Sequence, residues 1–436
     1  MKISCPPEAL ALIGFAATLT GCVVLHIPIL YALVAGYGIF SSYALLKKYP
    51  PRQVLAMSVS GIRTVKNILI VFVLIGMLTA IWRASGTIPA IVGYSADLIR
   101  PSGLVLTVFL LNTLVSVLTG TSFGTAATMG VICMTMAATM GVSPVLTGGA
   151  VLAGAFFGDR CSPVSTSALL VATLTRTDIF GNIRLMLRTA LVPFLLSCAV
   201  YLVMGFVSPH EPLGDFDARA LFAGEFRMGW VALLPALLIL ALSILKINVK
   251  TAMLASIACA FIICLAYERM ELSRLLRALV FGYRSSDPGL APLIDGGGIG
   301  AMLNAICIVC LSSTYAGIFE GTGLLNHLKG RIEAASRRIS VFGGILGTSV
   351  VASMIACNQS LAIILTHQLC ATVEKDRQRF AIDLENSAVV IAPLIPWSVA
   401  GAVPLASISA PASALFAACF LYLLPMWHLL ASRRRG

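Results

Sequence analysis

Charge is scarce in this sequence. Asp, Glu, Lys and Arg make up 11% of its 436 residues, against roughly 25% in a soluble globular chain. With so few charges the chain cannot wet its whole surface, which excludes an ordinary soluble domain. Histidine is scarcer, at five. His26, His367 and His428 are isolated near the ends of apolar runs and read as structural. There is no P-loop, no HExxH, no GxSxG elbow and no flavin fingerprint. Nucleotide hydrolysis is thereby excluded as an energy source, and no nucleophile–base or metal pair marks an enzyme. Cysteine is present at twelve, mostly inside apolar runs. Its closest pair, Cys307 and Cys310, has no histidine or second pair nearby, so it reads as small apolar filler. Neither a disulfide, a metal nor a cofactor is expected.

What the sequence has is hydrocarbon, at 58% hydrophobic residues. Ala9–Leu25, Thr189–Val207, Trp230–Leu245 and Ser407–Leu430 approach or exceed the roughly 18 to 20 residues that cross a bilayer. The fold class is therefore an all-α polytopic membrane protein, with 1–436 as one integral membrane domain. The net charge of +12 sits in short clusters between apolar runs. Examples are Lys47, Lys48, Arg52, Arg63 and Lys66, then Arg176, Arg184 and Arg188, then Lys329, Arg331, Arg337 and Arg338. That is the positive-inside pattern, not a nucleic-acid footprint. LTGC at Leu19–Cys22 resembles a lipoprotein cleavage box, but apolar VVLHIPILYALV follows. It reads as a retained span.

Spans are expected near 9–25, 27–46, 67–99 (interrupted at SGTIP), 144–174, 189–207, 229–245, 251–267, 299–322, 386–404 and 406–430. Residues 268–298 read as an amphipathic surface helix and a loop. Two regions, 103–142 and 340–370, fit no simple span. The first carries TGTSFGTAATMG, three glycines, four threonines and a serine amid hydrocarbon. Its arms measure about 16 residues each, short of a crossing. If every basic loop is inside and the acidic loop 208–227 outside, neither region crosses an odd number of times. Both read as re-entrant hairpins. Irregular backbone at membrane depth is tolerated only against protein or a water-filled cavity. The tip hydroxyls Thr121, Ser122 and Thr125 are therefore candidate ligands of an ion or small solute. Close helix packing by small residues is the competing reading.

The chain also suggests an internal repeat, 67–207 and 299–430. AIWRASG and GIFEGTG match at an offset of 237 (323 − 86). LTGTSFG matches either ILGTSVV at 227 or CNQS near the first offset. FGDRCSPVSTS parallels the acid-then-polar run DLENSAVVIAPLIPWS. Five spans separate the starts of the units, an odd number, so they face opposite ways. Inverted repeats with broken helices are a recurring plan of secondary transporters.

GAFFGDRCSPVSTS is the sharpest feature. Asp159 follows a hydrophobic stretch, and Pro163 breaks the helix a turn later. An intramembrane carboxylate is costly and marks function. Ser162, Ser165 and Thr166 would add neutral oxygens suited to a hard cation. Arg160 either assists or pairs with Asp159 at a surface. In the second unit Glu385 is either functional or a first-turn acid favoured by the helix dipole. Ser387 and Ser398, with Pro393 and Pro396, flank a second break, and Asn358 and Gln359 are buried amides.

GTSFGTAATMG, GAFFGDRCSPVS followed by ATLTRTD, APLIPWS and AIWRASGTIP resemble the NhaC-type Na+/H+ antiporters of the ion transporter superfamily, over about residues 60 to 405. The resemblance implies a bacterial inner-membrane secondary transporter with two inverted repeats. The expected function is Na+/H+ antiport through Asp159. The alternative is Na+- or H+-coupled exchange of small carboxylates or amino acids. Membrane lipid surrounds it, no nucleic acid binds, and the protein partner considered is a second copy, as a homodimer.

Overall fold

The computed structural model describes residues 7–24, 29–96, 100–163, 165–208, 222, 224–227, 229–245, 247–287, 290–323, 340–356 and 358–433. Most of the acidic loop 208–227, the basic loop 329–338, His26 and Arg434–Arg435 lie outside the described residues. Among the described residues the secondary structure is helical, with one isolated bridge between Tyr283 and Gly296.

The helices follow the apolar runs. They are α1 Pro7–Val24, α2 Ile29–Leu46, α3 Pro51–Thr64, α4 Lys66–Ala84, α5 Thr87–Ala96 and α6 Pro101–Thr119. Then come α7 Ser122–Thr139, α8 Pro144–Cys161, α9 Thr166–Thr175, α10 Ile179–Val207, α11 Leu234–Ile244, α12 Val249–Ala266 and α13 Leu272–Phe281. The later long helices are α14 Leu303–Thr322, α15 Val341–Ala356, α16 Gln359–Cys370, α17 Arg377–Leu394, α18 Val399–Ser407 and α19 Cys419–Arg433. Among the described residues, α4, α6, α7, α10 and α12 are each long and apolar enough to cross a membrane. The pair α17 and α18 would make a sixth span, bent by 56°.

Two details depart from the sequence reading. The arms of the first hairpin are 19 and 18 residues long, not about 16, because Pro101 starts α6 early and α7 winds on through a π-helical stretch, Ala126–Gly130. Arm length alone therefore does not favour re-entry over crossing. The presumed loop 47–66 is mostly α3, an amphipathic helix burying Val54, Ser58 and Gly61.

The chain gathers into two units, each discontinuous in sequence: residues up to Leu69 with Asn304–Ala402, and Ile70–Leu303 with Val403–Gly436. In the first, Phe40 stacks edge-on against Phe15 at 5.1 Å and Phe319 at 4.6 Å, joining α1, α2 and α14. Lys47 pairs with Glu8 at 2.6 Å and ties the end of α2 to the start of α1. α3 crosses α14 closely enough that a Cβ on Gly61 would lie 2.0 Å from the Ser313 carbonyl oxygen. In the second unit, Phe109, Phe157, Phe194 and Phe420 join α6, α8, α10 and α19, with Phe157 at 4.9 Å from Phe194 and 5.1 Å from Phe420. Tyr201 donates its hydroxyl to the Ala417 carbonyl at 2.9 Å and accepts from the Cys419 amide at 3.1 Å.

Candidate functional site

In the second unit α6 and α8 lie side by side and run the same way. A Cβ on Gly154 would meet the Phe109 carbonyl at 2.6 Å, and one on Gly158 would meet Ser116 Cβ at 2.3 Å. Contacts advance together along both chains, so the helices are parallel. The two glycines are four apart, the spacing that lets helix backbones touch. Ser116 adds a hydroxyl bond of 2.5 Å to the Ala155 carbonyl. Both helices then stop at neighbouring points, α6 at Gly120 and α8 at Ser162. Helix C-termini carry partial negative charge and free carbonyls. Two of them together suit a cation.

Gly120 makes the first stop by adopting a left-handed conformation, φ 68°, which costs glycine nothing. Thr121 then caps α7, accepting from the Gly124 amide at 3.2 Å. Thr125 bonds back to the Thr121 carbonyl at 2.8 Å and lies 3.3 Å from the Thr119 hydroxyl. Ser122 and Thr125 are buried. The start of α7 packs against α8.

Asp159 is buried one turn before the second stop. Ser165 donates to its Oδ1 at 2.9 Å and Ser167 to its Oδ2 at 3.1 Å. Ser165 also caps α9, accepting from the Ser167 and Ala168 amides. The carboxylate thus faces a helix N-terminus through two serines. Ser167 is the residue sequence reasoning missed. Thr166, named in its place, is exposed. The missed signal was the cap itself, since residues two apart across a cap share a side. Ser162 is buried at the break.

Arg160 is fully buried, so the surface-pair reading of Asp159 and Arg160 does not hold. Its guanidinium donates into α10, to the Met186 carbonyl at 3.1 Å and Thr189 Oγ1 at 3.0 Å.

The first unit holds a second pair of stops. Asn358 caps α16, accepting from the Ser360 amide at 2.9 Å. Gln359 donates to the Val389 carbonyl at 3.1 Å, and Trp397 to the Met354 carbonyl at 2.9 Å. Both bonds tie the α15–α16 tip to α17 and its break. Ser398 opens α18, accepting from the Ala400 amide at 3.3 Å. Ser387 donates to the Asp383 carbonyl at 2.6 Å. Glu385 is fully buried, nine residues past the cap of α17 at Asp376. It is not a first-turn acid.

Several stops are spaced alike in sequence. Thr121 and Asn358, both caps, differ by 237. So do Gly86 and Gly323, with φ 69° and 63°. CNQS carries the cap Asn358, while ILGTSVV lies inside unbroken α15. Downstream, α8 and α17 both span 18 residues, and Pro163 and Ser165 precede Pro396 and Ser398 by 233. At that offset Asp159 falls at Ala392 and Glu385 at Leu152.

Apolar helices that stop within the unit, gather hydroxyls at the stop and hold a carboxylate there define a multi-pass membrane transporter with discontinuous helices. The chain belongs to the Na+/H+ antiporter family, whose model matches residues 8–178 and 170–429. It is 28% identical over 420 residues to the Na+/H+ antiporter NhaC of Bacillus subtilis, covering 93% of this chain and 91% of that protein. It is 28% identical to an uncharacterized Na+/H+ antiporter of Haemophilus influenzae, covering 77% and 75%. It is 25% identical to the malate-2H+/Na+-lactate antiporter of Bacillus subtilis, covering 88% and 84%. The chain is thus a secondary active transporter of the bacterial cytoplasmic membrane.

Proposed function

We propose that this chain exchanges Na+ for H+, with Asp159 as the group that holds one or the other. The observation that carries this is the buried carboxylate with Ser165 and Ser167 on its two oxygens. A serine hydroxyl both donates and accepts. With the site empty, the two hydroxyls donate to the carboxylate. When a cation arrives they rotate and offer lone pairs beside it. When a proton arrives the acid is neutral and the cation has no counter-charge. Thr121, Ser122, Thr125 and Ser162 supply further neutral oxygens in the same unit. The competition between proton and cation for one carboxylate couples the two fluxes.

Residues 67–207 and 299–430 are read as two copies of one inverted repeat, supported by the matched caps and glycines. The second copy contributes Asn358, Gln359, Ser387 and Ser398 to transport, and Glu385 as a further buried acid. Because Ala392 stands where Asp159 would, the second copy offers a neutral break.

A second reading, exchange of small carboxylates or amino acids coupled to Na+ or H+, is favoured by the relative that exchanges malate and lactate. The helix N-termini capped by Asn358 and Ser398 suit a carboxylate. Purified protein in liposomes decides between the readings. Na+-driven proton movement without any organic acid supports the first. Movement that requires malate, lactate or an amino acid supports the second.

A further inference from the structure

α13, in the segment between α12 and α14, has three faces where a surface helix needs two. Leu275, Ala278 and Leu279 are buried. Leu272, Leu276 and Val280 are 54%, 53% and 42% exposed. They are four apart, so they form one stripe. Arg274 and Arg277 occupy the remaining face and are exposed, with the exposed ring of Phe281 at its C-terminal end. An apolar stripe beside a basic one, on a helix already packed on its third side, suits the plane of a membrane interface.

The neighbouring chain points the same way. α13 begins six residues after α12 ends and packs against it. The outward residues of α12, Leu254, Ile262 and Leu265, are apolar and exposed, as on a lipid-facing span. Charge supplies the second argument. Arg269, Arg274, Arg277 and Arg284 are all exposed, and among the described residues none is in an ion pair. The nearby acids keep their charge but, among the described residues, bond to backbone and hydroxyl donors, none of them to an arginine side chain, and Glu271 at the start of α13 accepts from the Ser273 hydroxyl at 3.4 Å. Glu268 accepts from the Arg227 amide at 3.2 Å and Asp295 from the Ser285 amide at 2.7 Å. Glu225 accepts from Tyr283 at 2.9 Å and the Ser286 amide at 3.0 Å. Arg274 is held through one nitrogen, Nη2, which donates to Ser286 Oγ at 2.9 Å and to the Arg284 carbonyl at 3.3 Å. The other side of its planar fork is left for two oxygens of a phosphate.

We propose that α13 lies in the bilayer interface and that Arg274 and Arg277 bind the phosphate of an anionic phospholipid, whose acyl chains cover Leu272, Leu276 and Val280. Native mass spectrometry of the purified full chain, supplied with phosphatidylglycerol or phosphatidylcholine, tests it. The wild type should retain phosphatidylglycerol about tenfold or more over phosphatidylcholine. The double variant Arg274→Gln/Arg277→Gln, changed only at exposed side chains, should lose most of that preference. Equal retention of both lipids by the wild type, or an unchanged preference in the variant, overturns the site. Displacement of the lipid by inorganic phosphate alone would show a soluble-anion site and overturn the lipid assignment. A spin label at Leu276→Cys in vesicles, on a cysteine-free background, checks the placement. Faster relaxation by oxygen than by a water-soluble nickel complex is expected, and the reverse contradicts it. Both readouts are independent of transport, so they stand or fall apart from the antiport reading.

Discussion

Ser165 donates its hydroxyl to Asp159 Oδ1 at 2.9 Å while accepting the first free amides of the next helix. One side chain therefore sets both the carboxylate and the start of α9. Ser165→Ala should cost about 1 kcal/mol through the lost cap and slow exchange sharply. Ser165→Thr keeps the hydroxyl and should retain much of both. Thermal melts and vesicle exchange rates, measured on the same preparations, check this.

The parallel contact of α6 and α8 depends on two missing side chains. Gly158→Ala would place a Cβ 2.3 Å from the Val117 amide nitrogen as well as from Ser116. The helices must separate, at about 1–3 kcal/mol or more, and the stops at Gly120 and Ser162 move apart. Gly103→Ala, with nothing within 4 Å, should be neutral or slightly stabilising. Detergent-solution melting temperatures of the two variants should diverge in that order.

Arg160 donates from Nη1 and Nη2 into α10 and from Nη1 to Cys161 Sγ at 3.3 Å. Arg160→Met should therefore lower stability by about 2–4 kcal/mol while leaving the apparent Na+ affinity of the folded fraction near wild type. A variant with normal stability and much weaker Na+ affinity would place Arg160 at the ion instead.

The proposed inverted repeat requires the two hairpins to open to opposite sides. Single cysteines at Met140, after α7, and at Lys375, after α16, should react with a membrane-impermeant thiol reagent from outside and inside respectively. The background is a cysteine-free chain that still transports. Labelling from the same side contradicts inversion.

The breaks were legible because their causes are local. Gly120 and Pro163 interrupt apolar runs by their own backbone chemistry, and Asp159 stands out by its cost. α3 was not legible, since an amphipathic helix between basic residues looks like a loop until its partner is known. Gly61 is ordinary in sequence and acquires its reason only from the Ser313 carbonyl. The role of Ser167 was hidden because its partner lies eight residues back, across a break whose geometry sequence does not give. Glu385 illustrates the opposite failure. Its place next to a charged loop suggested a first-turn acid, yet it lies buried nine residues past the Asp376 cap.

The central claim is that Asp159 carries the coupling. Purified wild type, Asp159→Asn and Glu385→Gln, each confirmed folded by melting temperature, are reconstituted into vesicles. Proton movement driven by a Na+ gradient is then followed across a pH series. Asp159→Asn, which keeps size but neither titrates nor neutralises a cation, should abolish exchange at every pH, while Glu385→Gln retains measurable coupling. Wild-type exchange by Asp159→Asn with an unaltered pH profile would contradict the account and move the coupling to another acid.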